Sequence, residues 1–223
     1  MNLSDLAAKG AEPVGVLLSH MLGTDDHRFL TGLKEILARY DVPLLGGDTV
    51  RGEGARSWGC TAIGRATHTP VPARSGARPA DTVYLGGPIG RAMLGFEALR
   101  DDTDADDIAY RRPVPQLELG RDLAPHVTAM MDVSDGLLLD ASRIGKASGL
   151  TLSLSSDAIA PLAPEGRLSD AMRWGDDYVL LACGPSGLER DHAVAPIGKV
   201  LQNTGSPLLL DGASPEGDLG YTH

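Results

Sequence analysis

The chain has 223 residues, with 20 Lys+Arg against 30 Asp+Glu, a formal net charge of −10 at pH 7. That balance, with only 4% aromatic residues, argues against a nucleic-acid partner, because phosphate backbones are held by Lys and Arg and single strands by stacking rings. The 42% hydrophobic content supplies one large core or two small ones. No run approaches the ~18 apolar residues of a membrane span, and residues 1–10 lack a basic flank with a long apolar core, so a soluble cytoplasmic protein without a membrane partner is expected.

Residues 14–19 (VGVLLS) form an apolar run of strand length, and Thr24-Asp25-Asp26 supplies an N-cap with helix-favouring acids. Phe29, Leu30, Leu33, Ile36, Leu37 and Tyr40 then recur at helical spacing, which predicts a helix with that face buried, ended by Asp41 and Pro43. Residues 42–45 predict a buried strand leaving through Gly46-Gly47-Asp48-Thr49, a sharp turn with a carboxylate at the strand end. Another strand is expected over 57–66. Residues 67–79, with His68, three prolines, Arg74 and Gly76, show no periodicity and mark a boundary between domains at 1–78 and 79–223.

The second domain opens with a strand at 82–85, a Gly86-Gly87-Pro88 turn and a helix over 91–99. Residues 101–107 are acidic without interleaved apolar groups and read as a solvated loop. A helix is expected over 115–123 with proline in its first turn, then a strand at 129–133, and a helix over 137–147 closed by Gly149. Strands follow at 150–155, 178–183, 197–200 and 208–210. Cys60 and Cys183 each sit in an apolar strand-like run and read as small buried hydrophobes, not as a disulfide or metal pair. Helices and strands mix throughout without an internal repeat, so the fold class is α/β or α+β in two domains.

The candidate chemistry lies in acids beside small residues at element ends: Asp5, Asp48, Asp132 with Asp135, and Asp176 with Asp177. In Asp132-Val133-Ser134-Asp135-Gly136 two acids and a hydroxyl share one turn between a strand and a helix. Mutual repulsion there is relieved by a hard cation, and Mg²⁺ takes one or two carboxylates with phosphate oxygens and water. The alternative is that Ser134 or Asp135 merely caps the following helix. No Gly-x-x-x-x-Gly-Lys-Ser/Thr cradle occurs, so any phosphoryl transfer must rest on metal-bound acids with an arginine, for which Arg74 is the candidate. Arg74 equally reads as a surface linker residue, and Asp176-Asp177-Tyr178 as a solvated turn. The six histidines are scattered, without a zinc pattern, and no Gly-x-Ser-x-Gly elbow is present.

Five ordered motifs, Asn2-Leu3-Ser4-Asp5-Leu6-Ala7-Ala8, Gly46-Gly47-Asp48-Thr49, Arg74-Ser75-Gly76-Ala77, Asp132-Val133-Ser134-Asp135-Gly136 and Gly175-Asp176-Asp177-Tyr178, resemble the thiamine-monophosphate kinase family over essentially the whole chain. The ending Gly220-Tyr221-Thr222-His223 is similar to that family's C-terminus. The resemblance implies the two-domain fold of aminoimidazole ribonucleotide synthetase, and ATP-dependent phosphorylation of thiamine monophosphate. Carried over by motif, it implies Mg²⁺ ligation by Asp5, Asp48, Asp132 and Asp135, ATP contacts from Gly47, Asp48, Arg74 and Ser134, and thiamine contacts from Asp176 and Tyr221. It also implies a homodimer formed through the first domain's sheet. Family members carry a leading segment with further acidic turns, whereas this chain starts at the Asn-Leu-Ser-Asp motif. An incomplete first domain, an unpaired strand edge, exposed apolar surface and impaired activity are therefore expected. Ala80 stands where the family usually has glycine. A non-catalytic protein binding thiamine phosphates or nucleotide, or a sister ATP-dependent synthetase of the same fold, are the alternatives.

Overall fold

The computed structural model describes residues 1–222. The chain begins with a short helix, α1 (Asn2–Ala7), then β1 (Ala11–Met21), α2 (Asp26–Arg39), β2 (Leu44–Val50) and β3 (Trp58–Ala66). These strands form a three-stranded sheet in the order β2-β1-β3, with β2 parallel and β3 antiparallel to β1. The long helix between parallel neighbours is the connection such a pair requires.

After the 67–81 linker come β4 (Thr82–Leu85), α3 (Arg91–Arg100), α4 (Ile108–Arg111), α5 (Leu117–Leu123), β5 (Ala129–Asp132), α6 (Leu137–Ser148), β6 (Thr151–Leu154), α7 (Ser156–Ile159), α8 (Leu168–Trp174), β7 (Leu180–Gly184), β8 (Ala195–Leu201) and β9 (Leu208–Leu210). Six strands pair in the order β5-β7-β4-β8-β6-β9, antiparallel except for β6 with β9. Alternation along the strands splits the core. Met131, Leu181, Leu152 and Ile197 face Leu137, Leu138, Ala141 and Ile144 of α6. Met130, Leu180 and Ala182 on the other face pack against Leu123 and Ala124 of α5 and Ala7 and Ala8 of α1. The first helix thus docks on the six-stranded sheet, carrying its polar residues to the end of β5.

The structure corrects several sequence expectations. Gly46-Gly47-Asp48-Thr49 is not a turn but the middle of β2, and Leu44 and Leu45 are exposed. Gly47, at φ 153°, crosses β1 so closely that a Cβ would overlap the Leu18 carbonyl oxygen. The apolar face of α2 is turned inward but holds no fully buried residue, and Leu30 is 48% exposed, because a three-stranded sheet covers so little of the helix. Cys60 is exposed on edge strand β3, while Cys183 is buried as expected and its thiol is pushed up by burial. The helix expected over 115–123, α5, starts at Leu117, beyond Pro115. β7 starts at Leu180 because Asp176 and Tyr178, at φ 57° and 53°, bend the segment before it.

Of the acidic 101–107 stretch, residues 101–106 are exposed as expected, whereas Asp107 is half-buried at the start of α4. Ala80 has φ 72°, a left-handed backbone that disfavours a Cβ, which gives a physical reason for glycine at this position. Ala80→Gly should therefore raise stability by about 1 kcal/mol in urea denaturation, an unchanged midpoint contradicting the strain.

The first sheet shows the expected uncovered surface. Leu17 (39% exposed), Leu45 (49%) and Ile63 (40%) lie on its face away from α2. Among the described residues nothing covers them. Such a patch promotes association. Leu45→Lys with Ile63→Lys should reduce concentration-dependent self-association in sedimentation velocity; identical sedimentation of variant and parent would remove this face from any assembly.

Candidate active site

Docking of α1 brings its polar residues to the last residue of β5. Asp132 is only 5% exposed, and the Ser4 hydroxyl donates to its Oδ2 at 2.5 Å. Asp5 is the next residue of α1. Partial burial and the Asp132 charge hold its carboxyl above the ordinary carboxylate range, against the opposing pull of Arg74 and Lys9. Lys9 Nζ donates to the carbonyl oxygens of Pro72 (3.2 Å) and Met130 (3.4 Å), tying helix, linker and strand together. Burial and the Arg74 charge lower its pKa.

Arg74 arrives because Ala73 pairs in parallel with Ala129, so the linker runs beside β5. Asp5, Asp132 and Arg74 are thus gathered from separated motifs. Ser4 and Lys9 were missed by the sequence reading; Ser4 sat inside the Asn-Leu-Ser-Asp motif, while Lys9, in the turn after α1, carried no local signal.

The turn after β5 is built by buried bonds. Asp140, in the first turn of α6, is fully buried and its Oδ2 accepts the backbone N–H groups of Ser134 and Asp135, each at 3.0 Å. Burial pushes its carboxyl up, while the Asp135 N–H and Arg143 oppose that shift. Arg143 bridges the Asp135 and Asp140 carboxylates, at 2.6 Å from the latter. The N-cap of α6 is Gly136, with no side-chain cap bond, so neither Ser134 nor Asp135 is spent on capping that helix.

The Gly175–Tyr178 segment docks on the same turn. The Asp176 N–H donates to Ser134 O (2.9 Å), the Tyr178 N–H to Val133 O (2.9 Å) and the Tyr221 N–H to Asp135 O (2.8 Å). Burial and the Asp176 charge push up the Tyr178 phenol, which donates to Asp176 Oδ1 at 2.9 Å.

Ser134, Asp135, Asp176 and Tyr221 line a pocket of about 600 Å³ with Phe96, Tyr110, Trp174 and Tyr178. Phe96 lies edge-on to Tyr110 (5.4 Å between centroids) and 5.1 Å from Trp174. The pocket therefore joins aromatic walls to carboxylates, a combination that suits a flat, cationic heteroaromatic ligand. His223 lies outside the described residues.

Asp177 points elsewhere, accepting the Gly90 and Ala92 N–H groups (2.7 and 3.2 Å) at the start of α3. Burial raises its carboxyl from 3.8 to about 6. A raised folded-state pKa favours the folded chain fully below 3.8, and this contribution is lost as pH rises through about 6. From pH 7 to pH 4 the parent should gain on the order of 2–3 kcal/mol relative to Asp177→Asn. Urea denaturation at both pH values checks this; a constant difference contradicts it.

The remaining expected ligands stand apart. Asp48 is exposed on β2, in one cross-strand row with Ser19 and Gly59, and its Oδ1 accepts the Thr49 N–H (2.9 Å). Asn2 of α1 donates instead to Cys60 O on β3 (2.9 Å), on the other side of β1. Asp135 is engaged by Arg143. Among the described residues no three His, Cys, Asp or Glu side chains are grouped to hold a metal ion. Asp5 thus lies within electrostatic reach of Asp132, Asp135 shares the Arg143 guanidinium with Asp140, and Asp48 stands on β2. Among the described residues no helix is long and apolar enough to cross a membrane.

Residues 1–66 match the N-terminal domain of AIR synthase related proteins. The chain is 39% identical over 202 residues to the thiamine-monophosphate kinase of Caulobacter vibrioides, covering 81% of this chain and 57% of that protein's length. It is 32% identical over 241 residues to the thiamine-monophosphate kinase of Halobacterium salinarum, covering all of this chain and 81% of that protein. The solved structure of AaThiL complexed with AMPPCP and TMP superposes with a TM-score of 0.81 at 24% identity, over 99% of this chain and 77% of that one, and shares its fold. The mixed α/β architecture, the ordered acidic motifs and the identity shared over the chain's full length together make it a member of the thiamine-monophosphate kinase family.

Proposed function

We propose that the chain transfers the γ-phosphate of ATP to the phosphate of thiamine monophosphate, giving thiamine diphosphate and ADP. The observation that carries this is the joining of the Asp5–Asp132–Arg74 cluster to the aromatic, acid-lined pocket by one turn, Val133–Gly136. The AaThiL complex with AMPPCP and TMP shows that this fold accommodates both kinds of molecule in that protein. Asp176, Tyr221 and the aromatic walls would hold the thiamine rings, while Ser134, Arg74 and Gly47 would contact ATP.

Asp5 and Asp132 fit Mg²⁺ by donor chemistry. They are all-oxygen ligands, with the Asp132 charge disfavouring a charge on Asp5, and Mg²⁺ is usually bound by one or two carboxylates with substrate phosphates. Asp135 and Asp48 would add to them once nucleotide is bound. When bound, the ion supplies neutralisation of charge on the transferring phosphoryl group. The chain's own part is positioning. A phosphate oxygen of thiamine monophosphate attacks the γ-phosphorus as the bond to the β–γ bridging oxygen breaks and ADP leaves. That oxygen is already anionic, so no general base is needed. Arg74 places a fixed positive charge beside the acids, and Lys9 and Ser4 hold them in register. A kinase drawing on ATP belongs with the cytoplasmic nucleotide pool, and a second copy of the chain would cover Leu17, Leu45 and Ile63 as a homodimer.

Asp48, set apart from Asp5 and Asp132, favours one second reading, a protein that binds thiamine phosphates without turnover. Incubation with ATP, Mg²⁺ and thiamine monophosphate, followed by quantification of thiamine diphosphate, tests the proposal. Calorimetric binding of thiamine monophosphate without product would support the second reading.

A further inference from the structure

Asp140 belongs to none of the motifs that carry the family resemblance, yet it is fully buried and bonded at the centre of the pocket's supporting turn. One oxygen, Oδ2, takes two successive backbone N–H groups, those of Ser134 and Asp135. The carbonyls of the same two residues receive the N–H groups of Asp176 and Tyr221. Both faces of a two-residue backbone segment are therefore bonded, on one side to Asp140 and on the other to the two residues assigned to the thiamine moiety. Arg143, one turn further along α6, holds the second Asp140 oxygen and the Asp135 carboxylate.

We propose that Asp140 is a positioning residue: by fixing the Ser134–Asp135 backbone it sets the placement of Asp176 and Tyr221, and so registers the thiamine pocket against the acids at the end of β5. A buried carboxylate that loses its N–H partners is costly, and so are two N–H groups left without an acceptor, so this turn has one preferred arrangement. The geometry needs an acceptor oxygen at Oδ2, and an asparagine carbonyl can provide it. Asp140→Asn should keep the turn while weakening the Arg143 contact, whereas Asp140→Ala removes the acceptor altogether.

Amide hydrogen exchange on the full chain tests this without reference to catalysis. In Asp140→Ala the amides of Ser134, Asp135, Asp176 and Tyr221 should exchange at least about tenfold faster, while the strand amides of Leu152 and Val200 keep their protection, and Asp140→Asn should stay near the parent. Unchanged exchange at Ser134 and Asp135, or equal acceleration at Leu152 and Val200, overturns the proposal. If the alanine variant does not fold, the parent decides: protection of Ser134 and Asp135 close to that of Leu152 supports it, and exchange as fast as in the 101–106 loop overturns it.

The kinetic consequence rests on the kinase reading. Asp140→Ala should raise KM for thiamine monophosphate more than it lowers kcat, and Asp140→Asn should restore most of the loss. A parent that makes no thiamine diphosphate would remove the kinase reading and leave the exchange result to judge Asp140.

Discussion

Asp132→Asn should leave the chain folded and lower thiamine diphosphate formation by at least about 100-fold, close to 3 kcal/mol of transition-state stabilisation. The side chain is nearly isosteric, and the Ser4 hydroxyl can still donate to the asparagine carbonyl oxygen, so the packing of α1 on β5 persists. The negative charge that Asp132 presents to Asp5 is what disappears. Two consequences accompany the loss. The Asp5 carboxyl, no longer facing the Asp132 charge, should titrate closer to the ordinary carboxylate range. The Mg²⁺ concentration for half-maximal turnover should rise as well. Steady-state assays over a Mg²⁺ series, with thermal denaturation as the control for folding, read both. Turnover within about threefold of the parent, less than 1 kcal/mol, would take Asp132 out of the reaction.

Gly120→Ala should damage the site from a distance. A Cβ at this position in α5 would overlap the Ala7 carbonyl oxygen, and α5 is the surface on which α1 rests. Backbone cannot step aside as a flexible side chain would, so the added methyl forces the two helices apart. Overpacking of this kind costs about 1–3 kcal/mol. Displacement of α1 moves Ser4 and Asp5, which lie on it, together with Lys9 in the turn that follows it. The expected result is a lower urea midpoint combined with a loss of turnover at least tenfold beyond what the folded fraction explains, roughly 1.4 kcal/mol or more. A stability loss with full activity per folded molecule would show that α1 does not position the reacting groups.

Much of the fold was legible because single residues carry strong local information. The 3.6-residue spacing in α2, the helix α6 with the left-handed Gly149 that closes it and the apolar runs of β4, β5 and β9 all lie where the sequence pattern placed them. The errors share one cause: burial is a property of layers, not of segments. Leu44, Leu45 and Cys60 look like core residues by composition, yet Leu45 lies on the open face away from α2, and Leu44 and Cys60, on the α2 side, are on edge strands that one helix covers only in part. The two glycines of β2 read as a turn, whereas Gly47 is there to pass the Leu18 carbonyl.

At the site, acids beside small residues were visible in the sequence, and Asp5 lies within electrostatic reach of Asp132 and Arg74. Their supports were not visible. Ser4 acts through a bond spanning most of the first two-thirds of the chain, Lys9 through carbonyl oxygens, which carry no sequence signature, and Asp140 through the backbone of its neighbours. The aromatic wall joins Phe96, Tyr110 and Trp174 from three helices that no local pattern links.

The proposed activity is transfer of phosphate between two molecules held by this chain. ATP labelled in its γ-phosphate, mixed with the full chain, Mg²⁺ and thiamine monophosphate, should yield labelled thiamine diphosphate in equal amount to ADP. Label that stays in ATP, or is released only as free phosphate while thiamine monophosphate remains unchanged, would contradict it.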